Sequence, residues 1–231
     1  MNRPRILIAV TSHDRLGSEG DPPTGVWIEE LAVPWLRFAD AGAHIVLASP
    51  RGGVVPIDPK SVKPVGQNHA LVERFLADEG AQRQCSAAVA LSVLDMRDFD
   101  AVFFPGGHGT MWDLPVSSDV RRLVEQASNA GKVVAAVCHG PAALVGARLP
   151  DGRPLVSGRR VAAFTDTEEA AAGLTDVVPF LLEARLRALG AQFERVADWQ
   201  PFAVRDGRLI TGQNPASSQA VADHVLAAIA S

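Results

Sequence analysis

Ala135-Ala136-Val137-Cys138-His139-Gly140-Pro141 is the stretch that decides the reading of this chain. An apolar run over residues 132–137, rich in β-branched side chains, stops at a cysteine. A glycine follows two residues later, then a proline suited to the first turn of a helix. This is the outline of a strand–turn–helix elbow that lifts one side chain to the top of a sheet. A helix behind the elbow would turn its positive end toward the sulfur and favour the thiolate. A lone cysteine is more often a small packing residue. The elbow, with a histidine as the next residue, favours a nucleophile.

Outward from the elbow the chain alternates strand and helix. Strands are expected over residues 5–11, 44–48, 100–105, 132–137, 159–164, 191–196 and 208–211. Helices are expected over 28–41, 70–78, 83–90, 118–130, 176–189 and 215–230, with another starting at 141–147. Gly42, Gly131 and Gly190 sit where helix stops belong. Residues 50–66 are rich in Pro and Gly and read as a loop. Such alternation argues a doubly wound, mostly parallel sheet with helices on both faces. No repeat, low-complexity tract or linker divides residues 1–231, so one domain is expected.

Composition narrows the class without naming it. The 231 residues carry a net charge of −4, which points to neither a nucleic-acid nor an acidic-membrane partner. Two cysteines, Cys85 and Cys138, are too few for a disulfide framework and fit a cytoplasmic setting. No apolar run is long enough to span a membrane. After Met1-Asn2-Arg3-Pro4-Arg5, the run 6–10 is too short for a signal peptide.

In doubly wound sheets the site lies beyond the carboxyl ends of the strands. Four segments at such positions carry reactive side chains: Glu29-Glu30, Pro105-Gly106-Gly107-His108-Gly109, Cys138-His139-Gly140, and Phe164-Thr165-Asp166-Thr167-Glu168-Glu169. Each also has a plain reading, as a solvated helix face, a tight turn, a loop histidine or acidic charges at a helix start. Their joint placement favours a site. Pro34, four residues after Glu30, denies that residue's carbonyl a helical hydrogen bond if the helix runs through. Alternatively Pro34 opens the helix and Glu30 lies on the loop before it.

These segments resemble the ThiJ/PfpI superfamily, whose fold is that of class I glutamine amidotransferases and is flavodoxin-like. The resemblance rests on Thr24-Gly25-Val26-Trp27-Ile28-Glu29-Glu30-Leu31, Ala48-Ser49-Pro50-Arg51-Gly52-Gly53, Phe104-Pro105-Gly106-Gly107-His108-Gly109-Thr110-Met111-Trp112-Asp113, Ala136-Val137-Cys138-His139-Gly140-Pro141, Phe164-Thr165-Asp166 and Thr211-Gly212-Gln213-Asn214-Pro215-Ala216-Ser217. The His-Gly-Thr loop and the Asn-Pro-Ala-Ser segment are similar to the branch of heat-shock chaperone-like proteins and glyoxalase III.

The resemblance implies roles. Cys138 is the expected nucleophile, with Glu30 beside its sulfur. A carboxyl held protonated by burial would donate to the thiolate. His139 is the expected imidazole and Glu169 the acid that orients it, with Asp166 and Glu168 as alternatives. The N–H groups of Gly107 and His139 form the expected oxyanion hole. His108, Gly106 and Trp27 are expected in the pocket. Amidotransferases proper carry a late His-x-Glu pair, whereas this chain has Asp223-His224-Val225, which argues against glutamine hydrolysis.

The implied activity is a glutathione-independent glyoxalase, turning methylglyoxal into lactate with no cofactor and no metal. A protein or amino-acid deglycase and a cysteine peptidase or amidase of the same superfamily are alternatives, to be separated by pocket size. A stress chaperone or redox sensor is the alternative from another class, and predicts an exposed apolar patch to which Trp27, Trp35, Trp112 and Trp199 could contribute. A homodimer is expected.

Overall fold

A computed structural model describes residues 3–231; Met1 and Asn2 lie outside the described residues. The strands are β1 (Arg5–Ala9), β2 (His44–Ser49), β3 (Val89–Ala90), β4 (Ala101–Phe104), β5 (Val133–Val137), β6 (Arg160–Val161), β7 (Gln192–Phe193), β8 (Ala203–Asp206) and β9 (Leu209–Gly212). The α-helices are α1 (Ile28–Asp40), α2 (Ala70–Ala77), α3 (Glu79–Ser86), α4 (Thr110–Asp113), α5 (Ser118–Asn129), α6 (Asp166–Ala172), α7 (Leu182–Ala188) and α8 (Ser218–Ile229). Seven strands form one sheet in the order β3-β2-β1-β4-β5-β9-β8. All its pairings are parallel except β8 with β9. β6 and β7 make a separate two-stranded parallel ladder.

Side chains alternate across a strand, and the core follows that period. Ile6 and Ile8 pack with Trp35, Phe38 and Val225 on one face, while Leu7 and Ala9 pack with Leu123, Val124 and Leu186 on the other. Central strands buried on both faces read as continuous apolar runs, which is why 6–10 and 133–137 show no polar alternation.

Strand order reverses between β1 and β4, opening a crevice at their carboxyl ends. The β4–β5 register sets Phe104 beside Ala136, so the loop after β4 and the elbow after β5 emerge side by side. No helix among the described residues is long and apolar enough to cross a membrane.

Several expected elements are shorter. The segment after the elbow is a 3₁₀ helix, Gly140–Leu144, rather than an α-helix over 141–147. The strands expected over 159–164 and 191–196 shrink to two residues each, because they pair only with one another and never join the main sheet. The helix expected over 176–189 begins only at Leu182, and that over 83–90 lies instead at Glu79–Ser86, started by the Asp78 side chain. β8 was not expected at all.

Candidate active site

The elbow is held by its backbone. Cys138 N–H donates to Gly212 O (2.9 Å) and Cys138 O accepts from Phe164 N–H (2.8 Å). Between these anchors Cys138 takes φ 60°, in the left-handed region that L side chains rarely enter. Gly140 is required by contact: a Cβ there would stand 2.1 Å from Phe104 O. This close approach explains the glycine two residues after the cysteine.

The loop after β4 supplies the second wall. Gly107 has φ 99°, and a Cβ on it would meet Gly25 O at 2.2 Å and Trp27 N at 2.5 Å. The bare backbone lets this loop press on the start of α1, where Trp27 N–H donates to Gly106 O (3.2 Å). Helix α1 runs through Pro34, the first of the two alternatives weighed for that proline.

Glu30 is thereby carried inside, with no exposed surface. Its Oε2 accepts from Gly106 N–H at 2.7 Å. Its Oε1 has no hydrogen-bond partner among the described residues, and the carboxyl group lies beside the Cys138 thiol. Burial pushes the Glu30 carboxyl up to about 8, so it keeps its proton at neutral pH.

His139 lies against its own neighbour, with Nδ1 3.4 Å from Cys138 Sγ. Its Nε2 is 2.7 Å from Glu169 Oε2. The second oxygen of Glu169 is 2.8 Å from His108 Nε2. One carboxylate therefore serves two imidazoles. Burial works to raise the Glu169 carboxyl, but the two imidazole N–H groups outweigh it and hold it down to about 2. Burial, aided by His108, lowers His139 to about 4, so its ring is neutral at physiological pH. A charged Glu169 accepting from Nε2–H leaves the Nδ1 lone pair toward the thiol.

The thiol itself departs from the sequence expectation of a favoured thiolate. Burial pushes Cys138 well above its ordinary value, and a charged Glu30 beside it would push it further. The backbone N–H of His139 against the sulfur works the other way without overcoming burial. The short 3₁₀ helix offers less dipole than an α-helix would. Cys85, half-buried, is raised to about 11 by burial alone.

The sequence-selected residues mostly converge. Trp27, Glu30, Gly107, His108, Cys138 and His139 line one cavity of about 100 Å³, closed by Phe164, Ala172, Trp199 and Pro215. Among the described residues the N–H of Gly107 donates to no protein oxygen or nitrogen, and neither does that of His139. Glu169 stands behind the two histidines. Gly106 is corrected: it does not line the cavity but lies behind it, because its N–H is committed to Glu30 and a Cβ there would stand 2.6 Å from His139 N.

Asp166 and Glu168, the alternatives to Glu169, face elsewhere. Asp166 Oδ1 accepts from Ala184 N–H (3.4 Å). Glu168 Oε2 closes a capping box with Thr165, and its Oε1 accepts from Trp199 N–H. His224 sits on α8 beside Asp223, which pairs with Arg37. Sequence reasoning missed Trp199 as a cavity wall and Glu168 as its anchor. No local motif announced either, since both depend on a turn 31 residues downstream of Glu168.

His108, His139 and Glu169 could also hold a metal ion, since one ligand atom from each lies within 4.8 Å of the others. Nε2 of each histidine is already hydrogen-bonded to Glu169, each to a different carboxylate oxygen.

Comparison with known proteins places this arrangement. The chain is 33% identical to Glyoxalase 3 of Candida albicans, over 97% of this chain and 98% of that protein. It is 29% identical to the glutathione-independent glyoxalase HSP31 of Saccharomyces cerevisiae, over 94% of each. The crystal structure of the 24 kDa Rapid Encystment Protein of Francisella tularensis superposes with a TM-score of 0.92 at 34% identity, covering 98% of this chain and 99% of that one. Residues 25–228 match the family model described as the DJ-1/PfpI family, and the chain belongs to that family.

Proposed function

We propose that this protein is a glutathione-independent glyoxalase of the glyoxalase III type, converting methylglyoxal to lactate with Cys138 as nucleophile. The observation that carries the reading is the cavity of about 100 Å³, which joins a buried thiol, a neutral imidazole and a protonated carboxyl within apolar walls. Water occupies about 30 Å³ per molecule in the liquid, so this space suits a substrate of a few heavy atoms. The names of its relatives point to the same reaction.

The sulfur of Cys138 adds to the aldehyde carbon, and the thiol proton passes to His139 Nδ1. The new oxyanion lies toward the Gly107 and His139 N–H groups. His139 hands the thiol proton to the oxyanion, giving the neutral hemithioacetal. Its freed Nδ1 then takes the proton from the former aldehyde carbon and delivers it to the neighbouring carbon through an enediol, which collapses to a thioester. Glu30, still protonated, donates to the sulfur. Water cleaves the resulting thioester and releases the hydroxy acid and the free thiol. Glu169 acts through His139, as a positioning residue.

The small cavity disfavours the deglycase and peptidase readings, whose substrates are larger. Among the tryptophans offered for a chaperone patch, Trp35 is buried, Trp27 and Trp112 are half-buried, and Trp199 alone is exposed. The homodimer and the cytoplasmic setting belong to the same proposal, the cytoplasmic setting supported by two free cysteines; sedimentation and cell fractionation check them.

The test is lactate formation by purified protein from methylglyoxal, without glutathione, metal or nucleotide. Cys138→Ala should abolish it, and His139→Ala should reduce it heavily. Lactate production that survives Cys138→Ala removes the thiol adduct. Absence of turnover by the unaltered protein on any 2-oxoaldehyde, with suppression of client aggregation intact, moves the chain to the chaperone class.

A further inference from the structure

Trp199 stands at φ 65° and is, with Cys138, one of two non-glycine residues in the left-handed region among the described residues. A bulky side chain persists there only where its surroundings over-determine the backbone. They do so here. Trp199 N–H donates to Glu168 Oε1 (2.8 Å). The same oxygen accepts from Asn214 Nδ2 (2.8 Å) and Gln213 Nε2 (3.2 Å). The other oxygen of Glu168 accepts from Thr165 N–H and Thr165 Oγ1, both at 3.0 Å. On either side of Trp199 the turn is tied again: Thr167 Oγ1 donates to Asp198 Oδ1 (2.7 Å), and Asn214 Nδ2 donates to Gln200 O (2.9 Å).

This clamp fixes an indole against the cavity. Trp199 meets Phe164 edge-on, with ring centroids 5.6 Å apart at 67°. Of the residues lining the cavity, only Ala172 and Trp199 are exposed, and Ala172 is small. Trp199, 49% exposed, is therefore the one large exposed residue of the lining.

We propose that Trp199, held in its strained turn by Glu168, sets the upper size of what reaches Cys138. Short-chain 2-oxoaldehydes pass and those bearing an aryl group are turned away. The identity of the substrate rests on the glyoxalase reading; the size limit is a property of access to the thiol.

Two reagents with the same reactive group separate these points. Iodoacetamide and its bulkier N-phenyl analogue are reacted with the full chain, and peptide mass spectrometry follows Cys138 and Cys85 separately. Glycine accepts φ 65° freely, so Trp199→Gly removes the indole and the strain together. Trp199→Ala removes the indole alone and serves if the glycine variant melts early. Either variant should raise the rate of the N-phenyl reagent at Cys138, relative to iodoacetamide, at least tenfold, with the ratio at Cys85 unchanged. The kcat/KM for phenylglyoxal, relative to methylglyoxal, should rise by a similar factor. An unchanged reagent ratio at Cys138 overturns the proposal. A shifted reagent ratio in a protein that turns over neither aldehyde upholds the gate and removes the glyoxalase reading.

Discussion

Glu30→Gln should make the protein more stable as pH rises, relative to the unaltered chain. The Glu30 carboxyl is fully buried, and burial moves it from an ordinary 4.5 to about 8. Between those values the folded protein holds a proton that the unfolded chain has released. Folding stability therefore falls as pH rises through this window, by about 1.4 kcal/mol per pH unit from this group. Below 4.5 the contribution is fully present; above about 8 it is lost, at a total of at most about 5 kcal/mol. Glutamine carries no charge at any pH. It can accept the Gly106 N–H and turn its NH₂ toward the sulfur. Urea denaturation of both proteins at pH 5, 6.5, 8 and 9 reads the difference directly. The two should be close at pH 5 and diverge steadily above it, the variant becoming the more stable. Other raised groups, such as Asp113, remain in both proteins and cancel. A difference that stays flat across the series would falsify the idea that Glu30 is a neutral carboxyl inside the fold.

The base should show in acid. His139 is neutral above about 4, so the acid limb of kcat/KM, where activity falls, should lie near that pH; a limb near 6.5 would mean that the ring is solvated. Glu169→Gln cannot accept from both imidazoles at once, so it should cut kcat by about 10²-fold, less than His139→Ala, with KM little changed. Equal losses from the two variants would mean that the carboxyl does more than orient. Gly140→Ala places a Cβ 2.1 Å from Phe104 O and should cost about 3 kcal/mol in urea; a cost under 1 would show the elbow to be pliable. Arg37→Ala breaks an ion pair whose two side chains are about 40% exposed, and should cost less than about 1 kcal/mol.

The central strands and the elbow were legible because their signals are local. The run 132–137 followed by Cys138 and Gly140 specifies a strand and a tight turn within ten residues. What stayed hidden depends on distant partners. β8 carries Arg205 and Asp206 and offers little apolar pattern, and it forms by folding back on β9. The Phe164 segment reads as a strand but lies beyond the two paired residues of β6. In the acidic run, spacing alone could not divide the labour: Glu169 turns to the histidines while Glu168, one residue earlier, turns to Trp199. The state of the thiol likewise depends on distant parts of the chain. Elbow geometry speaks for a thiolate, but the burial that opposes it is a property of the whole fold.

The two ends of the seven-stranded sheet bear on how the protein meets other chains. β3, at one end, has two residues, and its neighbour Ala88 is tied to Gly53 by a pair of backbone hydrogen bonds. At the other end Asp206 of β8 accepts from Arg160 N–H (2.9 Å) and from Arg159 Nε (3.0 Å), so the β6 segment lies across that border. Neither border offers a long row of free backbone groups to a stray strand. Among the described residues the borders of this sheet therefore offer a poor template for cross-strand growth.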